Sequence, residues 1–232
     1  MNSIQKTARV AGALYLSLLP LGILGIMYVP ASLIVPGDGA ATASQIIASE
    51  SLFRLSIVSA LLVQVVNIFV VLALFQVLKP AGRNLAWMMV IFILLGAPIA
   101  MLNELNQVAV LILSTGADYL AAFSPDQLHA LLPLFLDLHE YGINIAGIFW
   151  GLWLFPMGYL VFRSGYLPKI LGILLMIGCF GYLADSAIVF LFPNFDVSIS
   201  QFTFIGELLL PLWLLIKGVN VEKWEQRALE SV

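Results

Sequence analysis

Hydrophobic residues in this chain gather into six long runs, near residues 10–35, 55–78, 85–113, 142–162, 170–192 and 202–216, with short polar segments between them. Each run is long enough, or nearly so, for a helix of about 20 residues to cross a bilayer. An open sheet could not satisfy its backbone in lipid, so the pattern predicts an all-α integral membrane bundle of six transmembrane helices. The connections are too short to hold a soluble domain. The whole chain, 1–232, therefore reads as a single domain that ends in a short tail at 217–232.

Smaller features refine this outline. In 41–53, Ile46, Ile47, Leu52 and Phe53 alternate with Ser, Gln and Glu, which predicts a short interfacial helix running into the second span. Ser124, Pro125 and Gln127 form a good helix start, with a Ser cap, Pro at the first helical position and Gln three residues after the cap. A helix from 124 to 162 would be about 58 Å long, so it is expected to break or lie flat near Pro133 or Gly142. The first run exceeds the roughly 7–15 residues of a signal-peptide core, and Ala41-Thr42-Ala43 lies beyond its end, so it reads as a retained span.

Charge gives the bundle a direction. Threaded through a bilayer, nine of the ten basic residues fall on one side: Lys6, Arg9, Lys79, Arg83, Arg163, Lys169, Lys217, Lys223 and Arg227. The other side carries Asp38, Glu50, Asp118, Asp126 and Asp196 against Arg54. The excess of Lys and Arg in cytoplasmic loops predicts that both termini face the cytoplasm. Charged residues make up 10% of the chain, far below the roughly 25% of soluble domains, and no basic surface suited to nucleic acid is visible. The lone Cys179 excludes an intrachain disulfide.

Ionisable groups inside spans cost about 2.5–3.5 kcal/mol each on insertion scales, so each is a candidate for function. Counting helical rise from the basic ends places Glu207 about 15 Å deep, Asp185 about 24 Å and Glu104 about 31 Å; His139 and Arg54 come out near 36 and 37 Å. Arg54, Glu104, His139, Glu140, Asp185 and Glu207 are thus the candidate ligand-binding residues. They are expected to converge in an outward-facing polar cavity with Arg54 at its mouth. Arg54, His139 and Glu140 lie close enough to the interface to be read equally as solvated or snorkelling groups. Asn103, Asn106 and Gln107 surround Glu104 as a polar patch. Gln64, Asn67, Gln76 and Asn144 read as interhelical hydrogen-bonding groups, and Gly147, Gly151, Gly158 and Pro156 as packing devices.

Chemical motifs are scarce. His139-Glu140 lacks the second histidine of a zinc helix, since position 143 is Ile and His129 lies ten residues earlier. Ligand types for a metal are present in His139, Glu104, Asp185 and Glu207, but no spacing demands one. A phosphate-binding glycine loop and a nucleophile elbow are both lacking. No catalytic residue, metal ligand or cofactor is assigned.

Several blocks carry a family resemblance: Arg9-Val-Ala-Gly-Ala-Leu-Tyr-Leu16, Gly37-Asp38, Glu50-Ser-Leu-Phe-Arg54, Leu138-His139, Gly158-Tyr-Leu-Val-Phe-Arg-Ser-Gly165, Pro168-Lys-Ile-Leu-Gly172 and Leu212-Trp-Leu-Leu-Ile-Lys-Gly218. Together they resemble the bacterial membrane family catalogued as domain of unknown function 4386, from about Lys6 to Asn220. The resemblance implies a multi-pass protein of the bacterial cytoplasmic membrane and brings no activity. The leading functional expectation is binding or passage of a small polar molecule, ion or lipid headgroup. An intramembrane enzyme using the same residues, such as a metal-dependent hydrolase, is a second reading, and an accessory protein without a ligand is a third. The expected partners are the lipid bilayer and that ligand.

Overall fold

The computed structural model describes residues 3–192, 195 and 197–230; Asp196, counted above among the acids opposite the basic face, lies outside them. The helices are α1 (Ser3–Gly22), α2 (Val29–Leu33), α3 (Gly39–Ala48), α4 (Glu50–Leu78), α5 (Arg83–Thr115), α6 (Pro125–Leu152), α7 (Leu154–Ser164), α8 (Lys169–Leu191), α9 (Ser200–Thr203), α10 (Ile205–Ile216) and α11 (Val221–Glu230). A π-helical segment, Ile23–Tyr28, joins α1 to α2. No strand occurs among the described residues.

Five helical stretches are long and apolar enough to cross a membrane: Ser3–Leu33, Glu50–Ala81, Arg83–Thr115, Pro125–Ser164 and Lys169–Leu191. Ser200–Ile216 and Val221–Glu230 make a sixth only as a bent pair, with 105° between them. The chain is thus an all-α membrane bundle, five of whose helices pass on their own.

Local chemistry sets the helix ends. Asp38 caps α3 by accepting from the Ala41 N–H at 2.8 Å. The Ser124 cap and Gln127 exchange the expected reciprocal bonds: the Ser124 N–H donates to Gln127 Oε1 at 2.8 Å, and the Gln127 N–H to Ser124 Oγ at 3.3 Å. The predicted interfacial helix at 41–53 divides at Ser49, whose φ of −129° and ψ of 36° end α3 before α4 begins. The long helix does not break at Pro133 or Gly142, as its length suggested. It runs through both and is interrupted only at Trp153. The carbonyl that Pro133 leaves unpaired, that of His129, lies against Gly39, so closely that a Cβ on Gly39 would collide with it.

The chain divides into two compact units. The first comprises Met1–Leu18, Val65–Ala97 and Asn144–Val232; the second comprises Leu19–Gln64 and Pro98–Ile143. The core of the first includes Tyr15, Leu74, Leu78, Met89, Trp153, Leu160, Leu175 and Leu210, all nearly inaccessible. Its α7 and α8 approach closely at paired glycines: a Cβ on Gly158 would lie 2.6 Å from the Gly172 carbonyl oxygen. Such contacts drive helix association where lipid tails remove the hydrophobic incentive. The second unit is centred on Val29, Ile46, Phe53, Val110 and Leu132.

Within the second unit, α5 has inverted polarity. Leu102 and Leu105 are 66% and 62% exposed, whereas Asn103, Glu104 and Gln107 are 7%, 6% and 4% exposed. A helix that turns leucine outward and its acid and amides inward is built for lipid surroundings and brings its polar groups together inside.

Candidate functional site

Asn103, Glu104 and Gln107 lie on one face of α5, since residues three and four apart are helix neighbours. Facing them is His139 of α6. Its Nε2 lies 3.2 Å from Glu104 Oε1, and its Nδ1 lies 3.3 Å from Gln107 Nε2. With the Gln107 amide oriented so that its N–H meets Nδ1, the ring proton sits on Nε2 and is donated to Glu104. Asn103 Nδ2 donates to the His139 backbone carbonyl at 2.8 Å, and Asn106 Nδ2 donates to Asn103 Oδ1 at 2.9 Å. The two helices come this close because residue 142 is glycine. A Cβ there would run into the Asn103 amide.

One polar atom of this network is left over. Gln107 Oε1 is buried without a hydrogen-bond partner. Turning the amide over would exchange the two ends and strand the NH2 instead, so one end of Gln107 stays unpaired in either orientation. A buried, unpaired amide group costs about 1–3 kcal/mol, which a ligand could recover.

Gln107 and His139 both line a cavity of about 420 Å³ that lies wholly within the second unit. Its apolar wall includes Ile26, Pro30, Ile34, Leu136 and Ile143, and its other polar groups are Thr42, Asp137 and Glu140. Glu104 does not line the cavity; it stands behind His139 as the partner of the ring.

The other candidates fall differently. Arg54, also in the second unit, pairs with Glu50 one turn earlier at 2.7 Å and does not line the cavity. Its side chain is 59% exposed, so the pair contributes little to stability. Asp185 and Glu207 belong to the first unit. The Asp185 carboxylate accepts from Ser198 Oγ at 3.0 Å, from the Ile199 N–H and from the Ser200 N–H at 3.1 Å, which anchors the segment leading into α9. Glu207 Oε2 accepts from the Tyr15 hydroxyl at 3.1 Å. Tyr182 interacts electrostatically with both Glu207 and Asp185.

Tyr15 went unnoticed in the sequence, where one tyrosine in a long apolar run carries no mark of its partner. Asp137 and Thr42 were missed as lining groups for the same reason, since their neighbours are remote in the chain. The interhelical role expected of Gln64 and Asn67 is not played by their carbonyl oxygens, which are buried without a hydrogen-bond partner. Gln76 instead accepts from Lys79 Nζ at 2.7 Å, three residues on. Among the described residues, no group of three or more His, Cys, Asp and Glu side chains is placed to hold a metal ion.

No solved structure matches the chain. A protein of Archaeoglobus fulgidus described as uncharacterized is 32% identical over 163 residues, covering 70% of this chain and 83% of that protein. The model of a family described as a domain of unknown function, DUF4386, matches residues 10–218, which takes in the second unit, most of the first and every candidate residue named above. The chain belongs to the DUF4386 family.

Proposed function

We propose that this protein binds a small amphiphile with a hydrogen-bond-donating or cationic head, in the cavity bounded by His139 and Gln107. The unpaired Gln107 Oε1 beside a cavity of about 420 Å³ carries the reading, since ligand sites combine an apolar wall with a few convergent polar groups. Gln107 Oε1, Asp137 and Glu140 are acceptors or anions, which favours a donor or a cation over an acid. The aliphatic lining suits an apolar body. Glu104 and Gln107 hold the imidazole in place at one wall.

An intramembrane enzyme is the second reading, favoured by the carboxylate–imidazole pair at the cavity. Both ring nitrogens are already engaged, however, and a general base needs a free one within reach of its substrate. Binding therefore has the stronger support.

The nine-to-one division of basic residues supports a topology with both termini in the cytoplasm of a prokaryote. Single cysteines introduced at Ala40 and Asp118 should react with an impermeant reagent from outside, and those at Gly82 and Gly165 should not; the reverse pattern refutes the topology.

For the ligand, thermal unfolding of purified protein should be followed with alkylamines and with alkyl carboxylates of equal chain length. Amines are expected to raise Tm for the wild type and not for Gln107→Leu, because binding to the native state alone is stabilising. Equal shifts for amine and carboxylate, or an undiminished shift in the variant, would overturn the reading.

A further inference from the structure

At the basic end of the first unit, Arg83, Arg163 and Arg227 line a second cavity, of about 360 Å³, together with Pro80, Ala81, Gly82 and Glu230. The three arginines come from the start of α5, the last turn of α7 and the amphipathic α11. Glu230, the single acid among the described residues of the wall, is already paired with Arg227, whose Nη1 donates to Oε2 at 3.0 Å. Arg83 and Arg163 have no ion pair and no side-chain hydrogen bond among the described residues. Among the described residues, three guanidinium groups against one carboxylate leave two uncompensated positive charges around a single opening.

This clustering is built by the fold. Pro80, three residues after Val77, has no N–H to donate, and the Val77 carbonyl is taken by two side chains from elsewhere: the Tyr166 hydroxyl at 2.9 Å and Trp224 Nε1 at 2.8 Å. The Asn220 N–H donates to the Tyr166 carbonyl at 3.2 Å, which completes the latch. These bonds clamp α11 against the turn at 79–82 and bring Arg227 to the wall. Burial pushes the Tyr166 hydroxyl's pKa well up, and the nearby Arg227 charge pulls it partly back. Like charges left facing one another without partners are unfavourable unless an anion joins them. At the start of α5, Arg83 adds its charge to a helix end that is already positive, and this end also favours an anion.

We propose that this arginine cavity binds a phosphate-type oxyanion. The planar guanidinium fork matches phosphate oxygens two at a time, which an ammonium cannot do, and basic pockets on the positively charged face of membrane bundles suit anionic headgroups. The phosphate can come from a phospholipid headgroup at that face or from a soluble phosphate; both present the same tetrahedral anion. The site is separate from the His139 cavity and does not depend on the function proposed for it.

The test uses the full chain in neutral detergent. Native mass spectrometry would count retained phosphatidylglycerol against phosphatidylcholine, and thermal unfolding would be followed with inorganic phosphate and glycerol 3-phosphate. The wild type is expected to favour the anionic partner, and the double variant Arg83→Gln/Arg163→Gln to bind it about tenfold more weakly. Arg83→Lys/Arg163→Lys keeps the charge and removes the fork; intermediate binding is expected. Glu230→Gln, an exposed change that leaves the fold intact, should tighten binding by releasing Arg227. Retention of phosphatidylglycerol without a response to soluble phosphate identifies the lipid headgroup, and a response to soluble phosphate identifies the free anion. If neither binds better than phosphatidylcholine, or if Glu230→Gln and the Arg83/Arg163 variants all match the wild type, the proposal is overturned.

Discussion

Glu104 and Glu207 are both acids on apolar helices, yet the fold treats them in opposite ways. Glu104 receives an imidazole, two amides stand beside it, and the ring it holds borders an opening. Glu207 receives the Tyr15 hydroxyl within a core of leucine and tryptophan. Residue type alone made them equivalent. What separates them is the setting that neighbouring helices supply: a polar network beside an opening for Glu104, an apolar core for Glu207. Glu207 has two phenols beside it, Tyr15 and Tyr182, and keeps Oε1 buried without a hydrogen-bond partner inside that core, whereas the amide end left over at Gln107 belongs to a residue that borders an opening.

The comparison can be broken most directly at Glu104. Replacing it by Ala leaves His139 Nε2 without its acceptor inside the protein and should cost about 1.5–3 kcal/mol in reversible unfolding. A loss below about 0.5 kcal/mol would mean that the pair is not formed. Gly142→Ala should come next, at about 1–3 kcal/mol, because the added methyl displaces the Asn103 amide. The same substitution should weaken amine binding in the His139 cavity, so intact binding would show that Asn103 does not help to position the ring.

Tyr15→Phe sharpens the other side of the comparison. Losing one hydrogen bond to Glu207 should cost about 1 kcal/mol and leave ligand-induced shifts in Tm unchanged. A change in the amine response would make Glu207 more than a fastener. The smallest effect is expected at Arg54, whose exposed pair with Glu50 should be worth less than about 0.5 kcal/mol on replacement by Ala. A larger loss would reinstate Arg54 as a site residue.

Much of the fold could be read because lipid allows few solutions. Apolar runs of the right length must be helices, and the ends of α5 and α8 lie within about two residues of the runs that foretold them. The break at Trp153 was hidden for a different reason. Pro133 looked like the weak point, but Gly39, almost a hundred residues earlier, covers the carbonyl that this proline frees. The candidate site divided along the same line. Asn103, Glu104 and Gln107 show themselves as a cluster because they share one face of a single helix. That His139 would meet them, or that Asp185 would tie down residues 198–200, depends on helix pairing, which periodicity does not encode.

The latch at Val77 has a consequence for assembly. The carbonyl lies at the end of α4, whereas Trp224 lies beyond every apolar run. During synthesis the spans can enter the bilayer in turn while this acceptor has only the Tyr166 hydroxyl, and α11 arrives last to supply the second donor. Closure of the basic end therefore waits on a segment made after every apolar run. A chain stopped just short of Trp224 would contain every apolar run and still lack this bond.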